Sequence, residues 1–317
     1  MRIAFALAAA LLACAAQAQD AFPSRPLKIV VPTSPGSGSD TAARFFGEQL
    51  AAVLGQPVVI DNKPGANGVI AAMAVKQAPA DGYTLFLGTN THMAVNPSTV
   101  KDLPYDPLKD FRFVSGLTRG MMMFVAPATT KYKGITELVT AARSAPGKLS
   151  VGSYTAGFQL SAEWFGVASS SKHVYVNYRG APEVFSALMG EQLDWAVTDL
   201  IAAVPQVKAG KLKALAVTGE RRYAELPDVP TLKESGYADY VNYSWTSLVI
   251  RAETPEPMAA KLVQAIDRIL ATPAAKDFTV KIGSEQLLLG PADMRKFQQS
   301  EIERYRRVAD GAGIRPQ

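Results

Sequence analysis

Short apolar runs alternate along the chain with longer stretches whose apolar positions recur every three or four residues, and Gly, Ser, Asn or Pro marks each exchange. Leu27 to Val31 reads as a buried strand. After it come Pro32-Thr33-Ser34-Pro35-Gly36-Ser37-Gly38-Ser39-Asp40 and a helical run from Thr41 to Leu54, in which Ala42, Phe45, Phe46, Gln49, Leu50 and Val53 share one face and Gly55 ends the period. Pro57 to Ile60 and Tyr83 to Leu87 are the next strands. Between them lie a Gly-rich loop, Asp61 to Gly68, and a helix reaching about Ala78. This alternation predicts parallel strands with helices over both faces of a sheet.

An irregular, Pro-rich passage runs from Asn96 to Pro107, and strand character resumes at Phe111 to Val114 and at Met121 to Val125. A second alternation follows. Helices are predicted at Ile135 to Ser144, Gln159 to Ala168, Pro182 to Met189 and after Asp199 to about Ala209. The strands are Leu149 to Gly152, Val174 to Val176, Leu193 to Val197 and Leu212 to Val217. Beyond Pro230 the pattern reads as a short helix at Thr231 to Ser235, an aromatic strand at Tyr240 to Ile250, and two or three helices, the last from Asp293 to Ala309. Two such series, joined by a segment near Met121 and a strand near Trp245, predict an α/β protein of two lobes. The expected division is residues 19–122 plus 246–317 for the first lobe and 123–245 for the second.

The first residues are of another kind. Arg2 precedes an almost wholly apolar stretch from Ile3 to Ala16, and Ala16-Gln17-Ala18 places small residues at the cleavage positions. Residues 1–18 therefore read as a signal peptide removed after Ala18, too short for a membrane span. A second reading takes Leu11-Leu12-Ala13-Cys14 as a lipobox with Cys14 acylated. Cys14 is the only cysteine, so cleavage after Ala18 leaves no disulfide and no cysteine metal site. The 317 residues are 48% hydrophobic, enough to bury two modest cores. Lys+Arg number 33 against 28 Asp+Glu, and this small surplus is scattered, which argues against a nucleic-acid partner.

The passage Thr33 to Asp40 ends a strand and opens a helix, so the free N–H groups and the positive dipole end of that helix form a seat for a small oxyanion. It lacks a lysine, P-loop spacing and the third glycine of a dinucleotide fingerprint, which points to a carboxylate and not a nucleotide. The plainer reading is an ordinary turn before a capped helix. The crevice of such sheets lies at the carboxyl ends of the strands. Those ends collect Thr33 to Asp40, Asn62 to Gly68, Thr89 to His92, Ser153 to Gly157, Asn177 to Gly180, Thr198-Asp199 and Thr218 to Arg221. Arg179 stands there either as a counter-charge or as a solvated loop residue.

Catalytic signals are sparse. The two histidines, His92 and His173, are far apart in sequence and lack metal-ligand spacing, and neither a Gly-x-Ser-x-Gly elbow nor a His-Glu-x-x-His helix is present. No catalytic residue, metal or cofactor is expected. His92, at a strand end, is a ligand contact or a loop hydrogen-bonder. Asp199 reads as a general base in an enzyme, a helix cap, or an acceptor for a ligand hydroxyl or amine, and without a partner base or nucleophile the cap and acceptor readings are the stronger.

Further stretches carry a resemblance: Val31-Pro32 through Gly36 with Asp40, Gly55-Gln56-Pro57-Val58-Val59, Asn62-Lys63-Pro64-Gly65-Ala66 and Asp81-Gly82-Tyr83-Thr84-Leu85. They continue with Asn96-Pro97-Ser98, Leu103-Pro104-Tyr105-Asp106-Pro107, Tyr178-Arg179-Gly180, Ala214-Leu215-Ala216-Val217-Thr218 and Leu226-Pro227-Asp228-Val229-Pro230-Thr231. In this order, from Pro23 to Ile314, the chain resembles the periplasmic solute receptors of tripartite tricarboxylate transporters, the Bug family. The resemblance implies a two-lobed periplasmic-binding-protein fold of type II with two hinge strands, which closes like a flytrap. It implies a small carboxylate ligand held largely by backbone groups and ordered waters, a monomer without cofactor, and delivery to a membrane permease. Carried over, Thr33, Ser34, Gly36, Ser37 and Gly38 form the first carboxylate loop, and Thr89 and Asn90 line the first lobe, beside His92 at the same strand end. Ser153, Tyr154, Thr155, Phe158 and Gln159 form the facing loop, and Tyr178 and Asp199 complete the second wall. Two departures stand out. Ser37 replaces a second glycine of the family's loop, and Tyr154, Phe158 and Gln159 stand where small hydroxyl residues and a histidine are common, so bulkier or aromatic carboxylates join the C4-dicarboxylates as expected ligands. Two rival functions remain: a secreted carboxylate-ester hydrolase using Ser37 or Ser39 with His92, and a signalling receptor that presents its closed form to a sensor protein.

Overall fold

The computed structural model describes residues 22–316. The signal peptide expected at residues 1–18, and Cys14 within it, lie outside the described residues. Strands β1 (Leu27–Val31), β2 (Val58–Asn62) and β3 (Thr84–Thr89) run parallel with β1 in the centre. Alternation along β1 decides the layers, because successive side chains of a strand face opposite ways. Leu27, Ile29 and Val31 pack with Ala43, Phe46 and Leu50 of α1 (Gly38–Leu54), whereas Val30 packs with Ala71, Ala72 and Val75 of α2 (Val69–Lys76). The helix after the first loop begins at Gly38, with Asp40 already inside its first turn. Part of the passage expected to be irregular is helical: a π-turn at Thr91–Val95 runs into α3 (Asn96–Thr99).

β4 (Phe111–Pro127) is one strand of 17 residues where the apolar pattern suggested two. The glycines that interrupt the pattern are needed for close approach of other chain segments. A Cβ on Gly116 would stand 2.6 Å from the Leu287 carbonyl oxygen, and one on Gly120 would stand 2.4 Å from Ser284 Oγ. The chain then builds α4 (Ile135–Ser144), β5 (Ser150–Ser153), α5 (Ala156–Ala168), β6 (Val174–Asn177), α6 (Ala181–Met189), β7 (Trp195–Asp199), α7 (Leu200–Lys208) and β8 (Leu212–Val217). It returns through β9 (Tyr243–Arg251), α8 (Glu256–Leu270), α9 (Pro273–Lys281), β10 (Ser284–Gln286) and α10 (Pro291–Gly311). The helix expected at Thr231 to Ser235 is a set of turns, and Thr231 makes a single bridge to Val217.

β4 is shared by two sheets. Residues 111–121 pair with β9, residues 118–120 also with β10, and residues 122–127 pair with β7 and β8. The first sheet runs β2-β1-β3-β9-β4-β10 and the second β8-β4-β7-β5-β6. The chain crosses between lobes after Met121 and again at Asn242–Tyr243, a few residues before Trp245. Met122 and Met123 are buried in the second lobe's core, where Phe124 meets Phe165 at 5.1 Å and Trp195 at 5.0 Å. Phe46 is fully buried, and Phe45 is partly buried, stacked on Phe278 at 4.0 Å. Trp164 is only partly buried and stacks on Tyr240 at 4.2 Å. No described helix is long and apolar enough to cross a membrane.

Both histidines are buried and neutral. Trp195 Nε1–H donates to His173 Nδ1 at 3.3 Å, so the ring proton sits on Nε2, which faces Ser171 Oγ at 2.8 Å. Burial lowers His173 to about 4 and His92 to about 3. In the unfolded chain each takes up a proton near pH 6.5, so below that pH the unfolded state binds protons that the fold refuses. Their contribution is complete above the unfolded value and falls as the pH drops towards the folded values, by up to about 1.4 kcal/mol per pH unit for each ring. Thermal unfolding between pH 7 and pH 4.5 should therefore show Tm falling with acidity, and His173→Gln should flatten that slope. Equal slopes in the two proteins would mean that His173 is not held neutral.

Candidate functional site

The loop after β1 is shaped by a buried carboxylate. Asp40, in the first turn of α1, accepts from Gly36 N–H at 3.0 Å, from Asn62 Nδ2 at 3.0 Å and from two Arg44 nitrogens at 2.9 Å. Burial alone would push this carboxyl up; the Arg44 guanidinium and the N–H donors outweigh it and hold the group below the usual carboxylate range. These bonds tie the loop to α1 and to the end of β2.

That loop touches the second lobe directly. Ser34 N–H donates to the Arg179 carbonyl at 3.2 Å. Ser37 occupies the N-cap position of α1 without using its side chain to cap, and its Oγ instead accepts from Ala181 N–H at the start of α6, at 3.0 Å. Gly36, at φ +83°, lies against Pro182 Cγ. A Cβ on Gly180 would stand 2.7 Å from Ser34 Cβ and 2.8 Å from Ser37 Oγ. Ser34, Gly36 and Ser37 are thus seam residues. Thr33 is buried beside them, its carbonyl accepting from Asn62 Nδ2 at 3.0 Å.

Deeper in the seam lies a cavity of about 40 Å³, at the carboxyl ends of strands from both sheets. Of the residues that the sequence singled out, Gly38, Thr89, Asn90, Thr155, Phe158 and Asp199 line it. Thr155 caps α5 through Oγ1, which accepts from Phe158 N–H at 3.3 Å. Tyr154 stands next to Asp199 and donates its hydroxyl to Oδ2. His92 does not face the cavity: its ring is fully buried against Phe86, and Nδ1 accepts from Thr89 N–H at 3.3 Å. Ser153 and Gln159 both turn to Asn177, at 2.7 and 2.8 Å, and Tyr178 packs partly buried on the second lobe's core. Arg179 is exposed.

The crossing strands supply a floor that the sequence did not announce. Thr118, Gly120 and Met121 of β4, and Ser244, Trp245 and Thr246 of β9, face the cavity, with Ser39, Thr91 and Ser284 at its edges. Thr118 Oγ1 and Thr246 Oγ1 lie 2.8 Å apart. Hydroxyls at alternate positions of an aromatic strand, Ser244 and Thr246, are the signal that could have marked this floor.

Asp199 dominates the electrostatics. Its Oδ1 accepts from Ala202 N–H at 2.8 Å and caps α7, while Oδ2 accepts from the Tyr154 hydroxyl and from Gly38 N–H of α1 at 3.4 Å. Burial pushes the Asp199 carboxyl above its ordinary range despite these donors. Burial, and then the Asp199 charge, push the Tyr154 hydroxyl well up in turn. Among the described residues no group of three or more His, Cys, Asp and Glu could hold a metal ion. A larger cavity, about 810 Å³, lies outside the seam between the end of α5, the start of β6 and residues 312–315. It is away from the carboxyl ends of the strands, where sheets of this kind gather ligands.

The family model for the tripartite tricarboxylate transporter family receptor matches residues 42–314. A UPF0065 protein of Bordetella pertussis is 31% identical over 311 residues, covering 98% of this chain and 96% of its own. Among solved structures, Rpa4515 of R. palustris with adipate superposes with a TM-score of 0.90 at 30% identity, over 93% of this chain and 100% of that one. MatC from Rhodopseudomonas palustris, with bound malate, has a TM-score of 0.85 at 30% identity, over 90% of this chain and 99% of that one. By fold, by sequence along nearly its whole length and by its two crossing strands, the chain belongs to the receptor family of the tripartite tricarboxylate transporters, the solute-binding proteins that include the Bug receptors.

Proposed function

We propose that this chain is an exported, periplasmic receptor that closes on a small carboxylate and hands it to the membrane permease of a tripartite tricarboxylate transporter, making and breaking no covalent bond. The observation that carries the reading is the seam cavity, where hydroxyls from both lobes and the Asn90 amide stand among the apolar side chains of Met121, Phe158, Leu200, Ile201 and Trp245. Such groups suit a carboxylate, which needs several N–H and O–H donors aimed at one point. The adipate and malate seated in two relatives are carboxylates, which agrees with this class.

The hydrolase reading lacks the pairing it requires, of Ser37 or Ser39 with His92. Ser37 Oγ is engaged with Ala181 N–H, and His92 turns its Nδ1 to Thr89, away from the cavity that Ser39 lines. His173, the other histidine, lies in the second lobe's interior with Trp195 and Ser171. Neither Ser37 nor Ser39 is paired with an imidazole, and a serine without a base beside it stays a weak nucleophile.

Closure is the mechanism. A cavity of about 40 Å³ holds on the order of three waters, so a ligand enters only when the seam parts and binds by favouring its return. The purified protein should bind members of a panel of mono-, di- and aromatic carboxylates saturably, raise its Tm with ligand concentration and release no product. Catalytic accumulation of product would overturn the receptor reading.

Gly180 tests the closure itself. Its φ of −174° is open to any residue, so alanine there costs the backbone little, yet the new Cβ would press on Ser34 and Ser37 of the other lobe. Gly180→Ala should leave Tm without ligand nearly unchanged, weaken binding about tenfold or more, roughly 1.4 kcal/mol, and abolish the ligand-induced fall in radius of gyration seen by small-angle scattering. Unaltered affinity and compaction would remove this contact from the closing movement.

A further inference from the structure

We propose that Asp199 makes the cleft selective for an amino carboxylate, a ligand that brings a protonated amine to Asp199 and its carboxylate to the hydroxyl groups across the cavity. This rests on the receptor reading above and narrows its ligand class. Among the described residues, Asp199 is the only charged side chain in the cavity wall. It also occupies the helix starts on which a ligand carboxylate would otherwise settle: Gly38 N–H of α1 and Ala202 N–H of α7 both point at it. A dicarboxylate closed into this space would set a second and a third negative charge beside the first, with no cation in the wall to offset them, and like charges at close range in a dry interior repel strongly.

Three arginines around the cleft are already committed, and Arg221, in the adjoining groove beside Gly120 and Met121, lies outside the cavity wall. Arg44 is paired with Asp40, Arg119 with Glu285 while lying over the Tyr243 ring at 4.2 Å, and Arg304 with Glu301. A protonated amine at Asp199 brings the missing positive charge with the ligand and leaves the closed cleft near neutrality. The elevated carboxyl of Asp199 fits this, since a cationic neighbour would restore its ionised form.

The opposite wall has donors to spare for one carboxylate. Thr91 Oγ1 accepts from Gly157 N–H at 3.2 Å, so its own proton is left to give. The Thr118 and Thr246 hydroxyls, 2.8 Å apart, share one proton between them and keep a second that can point into the cavity. Neutral donors of this kind hold one carboxylate well, but they do not cancel the charge of two.

The test is calorimetric titration of the purified protein with pairs that differ only at one end: succinate against 3-aminopropanoate, glutarate against 4-aminobutanoate, adipate against 5-aminopentanoate. The wild type should prefer the amino member of at least one pair by tenfold or more. Asp199→Asn, which keeps the α7 cap, should lose or reverse that preference, and Asp199→Ser, which caps with a hydroxyl, should do the same if the asparagine variant folds poorly. Preference for the dicarboxylate in the wild type, or an unchanged ratio in a folded Asp199 variant, overturns this inference alone. If carboxylates of neither class bind to the folded protein, the receptor reading falls and this inference with it.

Discussion

A single carboxylate, that of Asp199, is shared by the first turns of two helices from opposite lobes, and the cleft is arranged around that contact. Ala202 N–H belongs to α7, which Asp199 begins; Gly38 N–H belongs to α1, in the other sheet's layer. Both groups would be orphaned donors if buried without an acceptor, a cost comparable to a lost hydrogen bond each. The meeting is possible only because residue 38 has no side chain: a Cβ there would stand 2.4 Å from Asp199 Oδ1. Sequence, local structure and site are joined at this point, since the strand-to-helix turns of β1 and β7 deliver both partners to it.

The same economy recurs along the seam. Gly157 would place a Cβ 2.7 Å from Thr91 Oγ1, and its N–H donates to that oxygen; Gly180 stands equally close to Ser34 and Ser37. At these two glycines main chain meets a short hydroxyl side chain of the other lobe. A ligand shifts an open-closed balance only by the difference in its affinity for the two forms. When the lobes make several direct hydrogen bonds to each other, a small solute with few contacts of its own needs to supply only the remainder.

Much of this was legible in the sequence, and the illegible part has physical causes. The two alternations of strand and helix, the strand-end loops and Asp199 as a cap or acceptor all follow from periodicity and local chemistry. The continuity of β4 was hidden because Gly116 and Gly120 read as breaks, whereas they make room for Leu287 and Ser284. Ser37 read as part of an anion seat, yet its hydroxyl satisfies Ala181 N–H, a partner 144 positions away that no local pattern reveals. His92 sat at the right strand end, but the ring turned inward to Thr89 and Phe86, because a strand end does not dictate side-chain direction. The floor of Thr118, Ser244 and Thr246 belongs to crossing strands whose apolar neighbours drew attention to packing.

Those crossing strands are coupled to each other. Thr218, fully buried, accepts from Met122 N–H through Oγ1 at 2.8 Å and donates the same hydroxyl to the Asn242 carbonyl at 2.6 Å, so one side chain bonds both crossings. The backbone repeats the tie, with Thr218 N–H donating to the Met122 carbonyl and Asn242 N–H to the Thr218 carbonyl, each at 3.0 Å. α10 braces the second crossing from the far side: the Tyr305 hydroxyl accepts from Asn90 Nδ2 at 3.2 Å and donates to the Tyr243 carbonyl at 3.3 Å, and Arg304 reaches Asn242 Oδ1. A bend confined to one crossing would break buried hydrogen bonds to Thr218 and leave their partners without water, which is expensive. Any parting of the lobes would therefore bend the two strands together, and Asn90, a wall of the cavity, is linked through Tyr305 to the second crossing.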